Sequence, residues 1–196
     1  MQGVRPGHAV RSYMSEREPL ICLVVGLVSL SSLAACGGGV DEPKAKEARS
    51  FVVTSPFLEP GGEIPTESTC DGGDKAPIVS WEGASAAEYV VTLTDVDADD
   101  FAHWIVYGLP RDSTDLTRDD EDLAVGREGE NDFGDVGYRG PCPPEGDGPH
   151  DYVITVYALD EAVTSDLDEG ATLEEVIDQI ECCVRAKGIL EATYER

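Results

Sequence analysis

The sequence predicts a mostly antiparallel β domain, and three observations carry that reading. Short runs rich in Val, Ile, Tyr and Trp recur after Phe51; Gly, Pro and Asp clusters separate them; a single stretch shows helical spacing. β-branched and aromatic side chains suit a pleated, half-buried surface, and the turn residues between them mark chain reversals. In chain order the strands are read as "SFVVTS" (50–55), "IVSWEG" (78–83), "YVVTLTDVD" (89–97), "HWIVYGL" (103–109), "DYVITVYALD" (151–160) and "ILEATYE" (189–195). In the fifth run Tyr152, Ile154, Val156 and Ala158 alternate, so they share one face of a sheet. The helical stretch is "TLEEVIDQIECCVRAKG" (172–188): Leu173, Val176, Ile177, Ile180 and Val184 fall at helical spacing, Thr172 and Glu175 form a capping box, and Gly188 reads as the stop. Cys183 continues the apolar stripe of that helix. Residues 111–136 are polar, acidic and weakly patterned, and read as a long surface excursion.

Ahead of the strands lies a leader. Residues 20–35, "LICLVVGLVSLSSLAA", are apolar but too short to span a bilayer comfortably, which takes about 20 residues. "LAAC" (33–36) has the pattern of a bacterial lipoprotein cleavage box. The expectation is a signal peptide over 1–35, a lipidated Cys36 followed by a flexible tether over 36–50, and one domain over 51–196, anchored extracytoplasmically to the cell envelope. Met14 would give a leader of conventional length.

The chain of 196 residues carries 40 acidic against 14 basic side chains, a formal charge of −26 and a pI near 4.1. Nucleic acid is excluded as a partner, because phosphate neutralisation needs a basic face. Lysine is confined to Lys44, Lys46, Lys75 and Lys187, and Asp runs such as "DVDADD" (95–100) recur. That balance suggests adaptation to high salt, where counterions screen the self-repulsion; on that expectation thermal stability rises from dilute to molar salt.

Four cysteines remain in the domain, Cys70, Cys142, Cys182 and Cys183, with no C-x-x-C pair, so no zinc ribbon is indicated. An oxidising address permits disulfides. Cys70 with Cys142 is the favoured pair, since both lie in Gly/Pro-containing loops; Cys182 and Cys183 would project differently from a helix and are not expected to bond each other.

Imidazole chemistry in the domain rests on His103 and His150. Asp95 and Asp97 stand two apart at a strand end, and His150 and Tyr152 two apart at a strand start, so each pair is expected on one face. Two histidines with carboxylates could hold a metal, perform acid/base hydrolysis, or, with the phenol, bind a small anion. A nucleophile elbow, a Walker loop and a dinucleotide fingerprint are all absent.

The ordered series "IPTESTCDGG" (64–73), "APIVSWEG" (76–83), "TDVDADD" (94–100), "HWIVYGLP" (103–110), "ENDFGDVGYRGPCPPEGDGPHDYVITVYALD" (130–160) and "ATYER" (192–196) resembles the phosphatidylethanolamine-binding protein family, in its bacterial and archaeal Raf kinase inhibitor-like branch. The resemblance runs from Phe51 to Arg196. It implies a central antiparallel sheet with Greek-key connections, a second smaller sheet, peripheral helices including a C-terminal one, and a small pocket for phosphate-like anions and phosphorylated head groups. Asp95 and Asp97 match the family's D-P-D-A-P motif, His103 its strand histidine, His150 and Tyr152 its G-x-H-x-Y, and Pro143 and Pro144 the proline pair that shapes the rim. Val96 and Asp99 replace both motif prolines, Asp151 stands where an arginine is usual, and Cys182–Cys183 replace a Gly-His pair. The resemblance implies a non-enzymatic binding protein without a cofactor, with Asp95, Asp97, His103, Pro144, His150 and Tyr152 at the ligand. An inhibitor of another protein, its target unidentified, and a hydrolase are the alternatives.

Overall fold

The computed structural model of the chain describes residues 49–119, 122–123 and 125–196. The leader, Cys36 and the tether up to residue 48 lie outside the described residues. In chain order the elements are β1 (Arg49–Ser50), β2 (Val52–Thr54), β3 (Gly62–Glu63), β4 (Val79–Glu82), β5 (Glu88–Asp95), β6 (Phe101–Pro110), β7 (Asp115–Leu116), β8 (Arg118–Asp119), β9 (Asp122–Leu123), β10 (Arg127–Glu128), β11 (His150–Leu159), α1 (Leu173–Ile180) and β12 (Val184–Tyr194).

The central sheet runs β1-β12-β11-β5-β6-β10, with β3 also on β12. β10 pairs with β6, β6 with β5, and the chain then returns to lay β11 on the far side of β5. That spatial order is a Greek key. The long pairs are antiparallel, whereas the two-residue strands β1 and β3 meet β12 in parallel. A smaller antiparallel sheet, β2-β4-β7, packs on one face.

Alternation explains both faces. Val91, Leu93, Trp104, Val106, Tyr152, Ile154, Val156 and Leu190 point to one side and form a core with Val53, Val79 and Trp81 of the small sheet. Val90, Ile105, Tyr107 and Leu159 point to the other, where Val176 and Ile180 of α1 cover them. At about 25 cal/mol per Å² of apolar surface removed from water, these two layers are the main favourable contribution to folding.

The C-terminal region departs from the sequence expectation. The capping box is present, Thr172 and Glu175 bonding reciprocally, but the α-helix ends at Ile180, a 3₁₀ turn takes Glu181–Cys183, and β12 begins at Val184. From Ala186 to Tyr194 every second residue is buried, and this period of two, satisfied by the ladder to β11, overrides the helical period. Gly188 is therefore no helix stop: a Cβ there would meet Val53 and lie 2.7 Å from Phe51 Cε2, so glycine lets β2 and the segment before it press onto the sheet.

Among the described residues two disulfides are formed. Cys70–Cys142 is the expected pair, with Cα atoms 5.4 Å apart. Cys182–Cys183 corrects the sequence reading: the neighbours sit in the 3₁₀ turn rather than an α-helix and are joined to each other. The surface excursion of 111–136 is also more structured than expected, since β7 completes the small sheet, β8 and β9 pair, and β10 closes the central sheet.

Among the described residues no helix is long and apolar enough to cross a membrane.

Candidate functional site

Asp95 is the last residue of β5 and pairs with Tyr152 of β11 on one side and Phe101 of β6 on the other. Its carboxylate is 4% exposed, and both oxygens are engaged. Oδ1 accepts the Asp97 backbone N–H at 3.0 Å and Oδ2 lies 2.8 Å from His150 Nδ1. The carboxylate holds the His150 imidazole above its ordinary pKa, chiefly through that hydrogen bond. His150 Nε2 has the exposed Asp147 carboxylate at 3.5 Å.

His103 reaches the same face by a different device. Strict alternation along β6 would send it with Ile105 and Tyr107 toward α1. Instead Leu93 pairs with Trp104 and Thr94 with Ala102, leaving His103 as the extra residue of a β-bulge. The ring meets Tyr152 edge-on with centroids 5.4 Å apart, and its Nδ1 lies 2.8 Å from the Arg139 carbonyl oxygen. Burial pushes the His103 pKa down, against the opposing pull of that carbonyl and Asp95. One imidazole is thus biased toward the cation and the other toward the neutral ring.

Between them opens a cavity of about 150 Å³, with Asp95, His103 and His150 as its polar lining and Phe101, Phe133, Pro143 and Pro144 as its apolar walls. The segment carrying the two prolines is held at several points. Cys142 is tied to Cys70, the Cys70 N–H donates to the Pro141 carbonyl at 3.1 Å, and Arg196 reaches Asp71 at 2.9 Å and the Pro143 carbonyl at 3.5 Å. Gly140 packs so closely on Ser68 and Thr69 that a Cβ there would collide with backbone. Proline fixes φ and lowers the entropy lost when such a loop is ordered.

Two residues expected at the ligand stand elsewhere. Asp97 does not share a strand face with Asp95, because β5 ends there and Val96–Ala98 form a 3₁₀ turn; Asp97 is exposed, and its Oδ2 accepts the Asp151 backbone N–H at 2.7 Å. It fastens the start of β11. Asp99 and Asp100 follow with φ of 56° and 59°, which a proline at 99 could not adopt. Tyr152 is not in the cavity lining but packs behind His103, stacked near His150 with centroids 6.5 Å apart. Its hydroxyl is buried with no hydrogen-bond partner among the described residues, and burial, with Asp95 nearby, raises its pKa.

The sequence reading missed Phe133 and Arg139. Both belong to the stretch from Asn131 to Gly140, pinned by the buried Asn131: its Oδ1 accepts the Phe133 N–H at 3.0 Å and its amide donates to the Gly137 carbonyl at 3.0 Å. "NDFGD" was the available signal, since Asn tends to bond backbone two residues on. Among the described residues no group of His, Cys, Asp and Glu is arranged to hold a metal ion.

A sequence profile described as "Phosphatidylethanolamine-binding protein" matches residues 54–195. A protein of Methanothermobacter thermautotrophicus named "UPF0098 protein" is 38% identical over 145 residues, covering 69% of this chain and 92% of its own. A Mycobacterium tuberculosis protein named "Putative lipoprotein LppC" is 33% identical over 199 residues, covering 91% of this chain and 96% of its own. The crystal structure of Escherichia coli YbcL, titled a new member of the mammalian PEBP family, superposes with a TM-score of 0.68 at 28% identity, covering 74% of this chain and 98% of that one.

Proposed function

This chain belongs to the phosphatidylethanolamine-binding protein family, and on that premise we propose that it is an envelope lipoprotein that holds a small phosphoryl or similar anion in the cavity between Asp95, His103 and His150, without transforming it. The observation that carries the reading is the Asp95–His150 contact at 2.8 Å. A buried carboxylate already committed to two protein donors serves to orient an imidazole and keep it charged, and a charged imidazole beside apolar walls attracts an anion. Phe101, Phe133, Pro143 and Pro144 exclude water around it, which strengthens the attraction. Among the described lining residues, Cys142 is the remaining one whose side chain carries a heteroatom, and its sulfur is spent in a disulfide, which supports binding over covalent chemistry.

The envelope anchor rests on the Cys36 cleavage box and on the relative named as a lipoprotein. A lipid mass on Cys36 is its check. For the site, titration calorimetry with phosphate or phosphoethanolamine in molar KCl should give a saturable isotherm that His150→Ala weakens at least about a hundredfold, with the ligand recovered unchanged; such losses are usual when one partner of a desolvated charged pair is removed. Absence of binding to either ligand would overturn the proposal.

A further inference from the structure

We propose that Cys182–Cys183 is a thiol–disulfide exchange site, at which a dithiol reductant delivers two electrons to the folded chain, and that Cys70–Cys142 stays closed to the same reagent. The inference is independent of the anion-binding reading. Its basis is what each cross-link does for the fold.

A disulfide stabilises a fold by restraining the unfolded chain, and the restraint grows with the loop it closes. By reciprocity the fold favours the closed bond by the same factor. Cys70 and Cys142 stand 72 residues apart, so the fold brings together two sulfurs that the unfolded chain would separate. Cys182 and Cys183 are neighbours, and the chain keeps them together whether it is folded or not. The loop-length dependence alone makes the native fold favour the long bond about two hundredfold more strongly than the short one. Nor does the short bond join separate elements, since both cysteines belong to the 3₁₀ turn Glu181–Cys183.

That turn, between α1 and β12, also suits the open form. Its backbone is held without the sulfurs: the Glu181 N–H donates to the Ile177 carbonyl, the Asp160 N–H donates to the Cys183 carbonyl at 3.0 Å, and Val184 pairs with Leu159. Cys182 is exposed, so an incoming thiolate can reach its sulfur. Its Sγ lies 3.9 Å from the Gln179 carbonyl oxygen, an acceptor that a thiol S–H can use and a disulfide sulfur cannot. Cys183 is 8% exposed, and a reduced cysteine there is a small apolar side chain that leaves no strong polar group unpaired.

Exchange proceeds in two displacements. A thiolate of the dithiol attacks Cys182 Sγ, the Cys182–Cys183 bond breaks, and Cys183 leaves as a thiolate that takes up a proton. The second thiol of the reagent gives up its proton and attacks the mixed disulfide, releasing Cys182 as a thiolate that is protonated in turn. The chain gains two electrons and two protons, and the reductant leaves as its own disulfide.

The test is thiol mapping on the full chain in detergent and molar KCl, equilibrated with graded mixtures of reduced and oxidised dithiothreitol, then acid-quenched, alkylated and digested. The peptide holding Cys182 and Cys183 should be half-labelled at a reduced-to-oxidised ratio at least about a hundredfold below the one that opens Cys70–Cys142. At that lower ratio the denaturation midpoint should be unchanged, and mild oxidation should close the bond again. Cys183→Ala should leave Cys182 open to alkylation with no reductant present. The proposal is overturned if the two bonds open within about threefold of one another or Cys70–Cys142 opens first. It is equally overturned if opening Cys182–Cys183 lowers the midpoint, if both thiols are labelled before any reductant is added, or if Cys182 resists alkylation in Cys183→Ala.

Discussion

The two ends of β5 both bury a carboxylate, and the fold uses them oppositely. At the first residue Glu88, 6% exposed, accepts the Val163 N–H at 2.8 Å, the Thr164 N–H at 3.3 Å and the Thr164 hydroxyl, while nearby Arg127 spends itself on the Leu167 and Thr164 carbonyls and the Tyr107 ring. Every donor there ends on protein. At the last residue Asp95, as deeply buried, bonds His150 of the cavity lining, whose far nitrogen has a long contact of 3.5 Å to the solvent-exposed Asp147. Burial of charge alone thus says little about function. What separates the ends is hydrogen-bonding capacity left over: a closed network fastens a loop to the sheet, an open one meets a ligand.

Three changes would break or sharpen that contrast. The largest is Cys142→Ser, which removes a cross-link between residues 72 apart in sequence and should cost about 4 kcal/mol in chemical denaturation, with weakened phosphate binding as the proline rim loosens. An unchanged denaturation midpoint would mean that the rim holds without its staple. Next comes Glu88→Ala, which strands three donors at the closed end and should cost about 3 kcal/mol while phosphate affinity at the other end stays within twofold. Loss of binding without unfolding would show that the two ends are not separate. The smallest is a pH effect. The folded pKa of His150 is raised, so its pairing with Asp95 contributes stability that is complete below the unfolded value of about 6.5 and is lost as pH rises through the folded value. Denaturation midpoints should fall across that window in the native chain, and His150→Gln should flatten the fall.

Much of this was legible in the sequence. Alternation gave the inner face of β11, the capping box gave the start of α1, and spacing of two placed His150 and Tyr152 together at the head of β11. What escaped has physical causes. His103 lies on the pocket face only because β6 carries a bulge, and a bulge cannot be read from a period of two. Asp97 turned away because β5 stops at Asp95, and three consecutive residues of a turn have no parity to read. The run 172–188 satisfied two periods at once, and the ladder to β11, ten residue pairs long, decided for the strand. The Arg139 carbonyl, which sets the tautomer of His103, is a backbone group, and side-chain identity gives no hint of it.

The bulge at His103 has a further consequence, which concerns length and not composition. At this point β6 carries one residue more than β5 opposite it, and that surplus turns an imidazole from the helix side of the sheet to the cavity side. The site is therefore encoded partly by counting. A relative could keep Asp95, His103 and His150 in identical order and, one residue shorter between Trp104 and the turn at Val96–Ala98, have no pocket chemistry at all.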